Sequence, residues 1–91
     1  MSRRPYIAAN WKMNKTAAEA DEFLDAFLPT QSAGGPEVVI CPTYLALARV
    51  AERCAGTPVG SAAQNMHFED SGAFTGEVSA PMLLDLGVDA V

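Results

Sequence analysis

The chain has one histidine and two cysteines in 91 residues. Cys41 and Cys54 have no metal-ligand spacing, so a zinc or iron–sulfur centre has no ligand set and a disulfide framework has no basis. Both fall within apolar patterns and read as buried thiols of a reducing, cytoplasmic compartment. Positive charge is scarce as well. Six Lys and Arg stand against eleven Asp and Glu, for a net charge of −5, which excludes the broad basic surface that nucleic acid or an anionic membrane requires. No apolar run is long enough to span a bilayer. Arg3-Arg4 resembles the start of a twin-arginine leader, but Lys12 interrupts the apolar segment such a leader needs. Asn14-Lys15-Thr16 is a formal glycosylation acceptor with no secretory signal behind it. Neither Gly-x-Gly-x-x-Gly nor a Walker-type Gly-Lys-Ser/Thr occurs, so dinucleotide and nucleoside triphosphate sites are poorly supported.

What is present is a globular chain, 49% hydrophobic and 19% charged, with a strand–helix alternation. A strand is predicted over Tyr6–Asn10. A helix should follow from Thr16, where Glu19 three residues on completes a capping-box pattern. Ala20, Phe23, Leu24, Phe27 and Leu28 fall on one face of it. Asp21, Glu22 and Asp25 lie off that stripe and read as a solvated face, and Pro29 and Gly34-Gly35-Pro36 turn the chain. Val38–Cys41 is a continuous apolar run, as in a parallel strand buried on both faces. Leu47, Val50, Ala51 and Cys54 mark the inner face of a second helix. A third strand is expected over Val59–Ala63. A short third helix opens at Ser79-Ala80-Pro81, with Met82, Leu83 and Leu86 as its apolar contacts and Gly87 as its stop. Val88–Val91 begins a fourth strand. Right-handed βαβ crossovers and a parallel sheet follow from this order. By itself it fits a doubly wound sheet as well as a barrel.

Three features bear on chemistry. Asn10 and Lys12 sit just past the end of the first strand, where parallel α/β folds bind their ligands. An amide and a fixed cation there suit an anionic substrate or a developing oxyanion; the alternative is a solvated surface lysine. Gln64 ends the third strand and either supports Lys12 by hydrogen bonding or is a buried structural amide. The loop from Asn65 to Val78 is too long for an ordinary connection. Its Met66, Phe68 and Phe74 either dock into a partner or fold over the loop's own domain. His67, near Glu69 and Asp70, is weak evidence for a metal. Trp11 and Met13 read as packing that fixes the Lys12 loop.

Asn10-Trp11-Lys12-Met13-Asn14, Ala63-Gln64-Asn65 and Gly72-Ala73-Phe74-Thr75-Gly76-Glu77-Val78-Ser79 occur in the order in which the triosephosphate isomerase family carries them. The chain resembles that family from about Tyr6 to Val91, over roughly the first third of a (β/α)₈ barrel of about 250 residues. Ala62 stands where the family usually has Gly. The resemblance implies an α/β fold of parallel βα units, the N-terminal part of a (β/α)₈ TIM barrel: three βα units plus the start of strand four. It makes 1–91 a partial barrel domain truncated at its C-terminal end. It implies interconversion of dihydroxyacetone phosphate and glyceraldehyde 3-phosphate, in glycolysis and gluconeogenesis, with no metal or organic cofactor. Lys12 and Asn10 are the implied catalytic and substrate-binding residues. A homodimer is implied through the 65–78 loop, with Phe74, Thr75 and Gly76 at the interface and Thr75 reaching the partner's Asn and Lys. Glu77 is implied as a structural ion-pair acceptor, unpaired here because its arginine would lie beyond Val91. The catalytic histidine and glutamate would also lie beyond it, so the 91 residues alone are expected to be inactive. The alternatives are a non-catalytic assembly fragment needing a complementary C-terminal piece, or another phosphate-binding barrel enzyme.

Overall fold

The computed structural model describes residues 3–91. Three strands, β1 (Tyr6–Asn10), β2 (Glu37–Cys41) and β3 (Val59–Ser61), form a parallel sheet in the order β1-β2-β3. Between and after them come helices α1 (Ala17–Phe27), α2 (Tyr44–Cys54) and α3 (Ala80–Asp85). Asn10 pairs with Cys41 and Ile40 with Ser61 in register. Sequential, parallel, neighbouring strands with a helix in each connection are consistent with the N-terminal βα units of a TIM barrel, as the resemblance implies. The third strand is shorter than the sequence predicts. Ala62 leaves it to make an isolated parallel bridge to Ala90, which is all that the described residues form of a fourth strand.

β2 is the centre of the sheet. Val39 and Ile40 point to opposite faces, yet both are buried, as the unbroken apolar run requires. Ile40 packs with Ala20, Leu24, Ala46, Val50, Cys54 and Val59 into the layer between sheet and helices. Leu47, Ala51, Ala63, Leu83 and Val88 form the adjoining cluster that seats α3. Of the three apolar residues expected to anchor that helix, only Leu83 is buried; Met82 and Leu86 are exposed. A two-turn helix presents too narrow a stripe to bury all three.

The helix ends are set by short-range chemistry. Thr16 accepts from the Glu19 backbone N–H, and Glu19 accepts in return from the Thr16 N–H at 2.9 Å. At the end of α3, Gly87 takes a φ of +79°. Its N–H donates to Leu84 and that of Val88 to Leu83, which satisfies carbonyls the helix would leave open. The acidic face of α1 is not simply solvated. Asp21 receives both Arg49 and Arg53 from α2, and Arg53 also donates to Asp25 at 2.8 Å. The spacing within either helix does not reveal this, because the partners are brought together by packing. Cys41 and Cys54 are both free, and burial pushes both thiols above their ordinary range.

The backbone hydrogen bond from Thr16 to Glu19, then the Thr16 hydroxyl, lower the Glu19 carboxyl pKa. A carboxyl depressed in the folded state stabilises fully above its unfolded value and loses that contribution as pH falls through the folded one. Thr16→Ala removes the hydroxyl that accepts the Glu19 N–H and should cost about 1 kcal/mol. The Thr16 backbone N–H, the larger cause of the lowered Glu19 pKa, stays in the variant, so parent and variant should lose stability in parallel on acidification. Urea denaturation at several pH values measures it. Tyr6 and Ile7 on edge strand β1 are about half exposed, at 53% and 49%, beside an unpaired strand edge. The 91 residues on their own should self-associate in sedimentation velocity and melt broadly.

Candidate active site at the C-terminal ends of the strands

Parallel strands deliver all the following loops to one edge of the sheet, and Asn10, Lys12 and Gln64 meet there. The Trp11 N–H continues the ladder by donating to the Cys41 carbonyl at 3.1 Å. The chain then turns sharply. Lys12 adopts φ +58°, a left-handed conformation that costs a side-chain-bearing residue on the order of 1–3 kcal/mol. Two contacts support it. The Lys12 N–H donates to Asn10 Oδ1 at 2.9 Å, and Gln64 Nε2 donates to the Lys12 carbonyl at 2.8 Å. The same Gln64 nitrogen donates to the Cys41 carbonyl at 2.8 Å. One amide from the end of the third strand thus ties the first loop to the end of the second. Gln64 is exposed rather than buried, and its hydrogen bonds are directed to backbone, not to the Lys12 ammonium.

Asn10 Oδ1 is taken by the Lys12 N–H, which leaves the amide's Nδ2 as its donor, and Asn10 and Lys12 are both exposed. That pairing can hold an anion or an oxyanion. Trp11 packs edge-on against Phe23, with ring centroids 5.4 Å apart. Met13 does not share that role: it is 92% exposed.

Thr75, Phe74 and Gly76 lie on the 65–78 loop, and among the described residues no hydrogen bond joins Thr75 to Asn10 or Lys12. The loop packs on itself. His67 stacks between Phe68 and Phe74, at centroid distances of 4.6 and 4.3 Å. Its Nδ1 lies 3.4 Å from Glu77 Oε2. That contact is an ion pair only when the imidazole is protonated. It brings together residues ten apart through the loop's curvature, which no local spacing shows. Gly72 is required at φ +137°, since a Cβ there would come within 2.7 Å of the Phe74 ring. A cavity of about 280 Å³ lies under the loop. His67 Nε2 and Ser79 Oγ are buried with no hydrogen-bond partner, and both residues line that cavity. No cluster of three or more potential metal ligands occurs among the described residues. A larger hollow of about 380 Å³ opens at the opposite edge, around Cys54, Gly60 and Asp89. It lies away from Lys12, at the end of a barrel associated with stability rather than chemistry.

The Triosephosphate isomerase family model matches residues 5–91, nearly the whole chain. The chain belongs to the triosephosphate isomerase family. It is 57% identical over 86 residues to the triosephosphate isomerase of Symbiobacterium thermophilum, covering 93% of this chain and 34% of that protein. To the Rubrobacter xylanophilus enzyme it is 51% identical over 90 residues, 97% of this chain and 35% of the relative. To that of Acetivibrio thermocellus it is 50% identical over 91 residues, 100% of this chain and 36% of the relative. The chain thus spans about a third of the length of the curated relatives it matches. No helix among the described residues is long and apolar enough to cross a membrane.

The Gln64 bridge can be tested without any assay of turnover. Gln64→Leu removes the donor from two carbonyls in a solvated setting and should cost about 1 kcal/mol. Gln64→Glu should cost more, because an ionised carboxylate cannot donate and repels both oxygens. Urea denaturation of the two variants ranks them.

Proposed function

We propose that this chain supplies the electrostatic part of a triosephosphate isomerase site. The observation that carries the proposal is the convergence of Asn10, Lys12 and Gln64 at the C-terminal edge of a parallel βα array that belongs to this family. The substrate is a three-carbon sugar phosphate, interconverted between dihydroxyacetone phosphate and glyceraldehyde 3-phosphate through an enediolate. The Lys12 ammonium attracts the phosphate and stabilises the enediolate as it forms, and Asn10 Nδ2 donates to the substrate. Gln64 holds Lys12 in place through its carbonyl. The proton moved is acidified by the adjacent carbonyl, so the reaction needs no metal or organic cofactor. Proton transfer requires a carboxylate base and an electrophilic imidazole, which on this reading lie outside these 91 residues.

The 65–78 loop would pair two copies, with Phe74, Thr75 and Gly76 entering the neighbour beside its Asn10 and Lys12. Phe68 at 83% exposure and Phe74 at 44% support that reading, because a loop that only folded over its own domain would cover them. The setting is cytoplasmic, in glycolysis and gluconeogenesis.

A chimera provides the test. This chain is joined at Val91 to the remaining two thirds of the Symbiobacterium enzyme. The 91 residues alone should give no turnover above background in a coupled assay, and the chimera should turn over both triose phosphates. Lys12→Ala in the chimera should lower kcat/KM by about 100-fold or more, as for loss of an oxyanion donor. An unchanged kcat/KM would return Lys12 to the status of a surface lysine.

A further inference from the structure

Lys15 is the second lysine of this loop and the second non-glycine residue with a positive φ, at +73°. It stands immediately before the Thr16 cap, a position where glycine would be conformationally easier. Its side chain is engaged. The ammonium lies 5.5 Å from the Trp11 ring centroid and 5.7 Å from that of Phe23, within the range where a cation is drawn to an aromatic face. Trp11 is the residue before Lys12, and Phe23 lies on α1 and stacks on Phe27 at 4.9 Å. Asn14 Nδ2 donates to the Trp11 carbonyl at 2.8 Å. Residues 11–15 therefore form a closed loop: Trp11 at its start and Lys15 at its end are clasped together, and both rest on the aromatic face of α1. Lys12, with its strained backbone, sits inside this clasp.

We propose that Lys15 is a positioning residue whose ammonium, held over Trp11 and Phe23, closes the 11–15 loop and keeps Lys12 in its left-handed, substrate-facing conformation. The catalytic side of this inference rests on the role proposed above for Lys12; the mechanical side does not. The glycine-like backbone fixes the direction in which Lys15 leaves the chain, and the two rings fix where it ends. Glu19 lies close enough for Lys15 to lower its carboxyl pKa slightly, after the two Thr16 hydrogen bonds, so the clasp also abuts the capping box of α1.

The chimera carries the test, with Lys15→Met, Lys15→Arg, Lys15→Gly and Phe23→Leu compared at a temperature well below every variant's Tm. Lys15→Met keeps the length without the charge and should raise KM for glyceraldehyde 3-phosphate about threefold, the scale of an exposed cation–π contact. Lys15→Arg should restore it. Lys15→Gly should relieve the backbone yet leave KM raised. Phe23→Leu, which keeps the lysine charge, should reproduce the Lys15→Met shift. Loop order is read separately as the rate of tryptic cleavage after Lys12 relative to that after Arg53. The ratio should rise in Lys15→Met and Phe23→Leu and return to the parent value in Lys15→Arg. An unchanged ratio in Lys15→Met overturns the clasp, whatever Lys12→Ala shows. A raised KM in Lys15→Met with none in Phe23→Leu also overturns it, and makes Lys15 a source of long-range field. A raised ratio together with an inert Lys12→Ala upholds the clasp and sinks the catalytic role of Lys12 instead.

Discussion

The parallel register of β1 against β2 is the constraint on which the site depends. Asn10 faces Cys41 across that ladder, and the Trp11 N–H extends it by one more hydrogen bond. Because β3 runs the same way, the residues after it arrive at the same edge, and Gln64 can reach the Lys12 and Cys41 carbonyls together. Antiparallel strands would send alternate loops to opposite edges, and no single amide would span them.

Around this frame the chain concentrates its backbone strain in one place. Lys12 and Lys15 are the two non-glycine residues with positive φ among those described, and both flank the same short loop. Each has compensation: hydrogen bonds to Asn10 and Gln64 for the first, two aromatic rings for the second. The opposite edge of the sheet carries no comparable arrangement. There Asp89 accepts from the Ser61 N–H at 3.3 Å and fills the space that a side chain at Gly60 would take, which is packing rather than chemistry.

The 65–78 loop combines two properties that sequence reading treats as alternatives. It is compact, with His67 between two phenylalanines and against Glu77. It also presents apolar surface outward at Phe68 and Phe74. A self-packed loop with an exposed apolar tip can enter a partner without first being ordered, which lowers the entropic cost of association.

Much of this was legible in the sequence. The capping box at Thr16 and Glu19, the unbroken Val38–Cys41 run and the Gly87 stop are signals that act over a few residues, so they read correctly without any knowledge of packing. The ordered motifs around Asn10, Gln64 and Thr75 pointed to the family in the same way. Tertiary structure decided the rest. The ion pairs from Arg49 and Arg53 to α1 and the exposure of Met82 and Leu86 depend on which helix lies against which, and the contact of His67 with Glu77 depends on how the 65–78 loop curves. The same is true of Lys15, whose ammonium finds Phe23 only after α1 has folded back on the loop. Short-range hydrogen bonding and hydrophobic periodicity are encoded residue by residue. Charge pairing and side-chain direction are fixed by distances between segments far apart in the chain, and those distances exist only once the parallel sheet has formed.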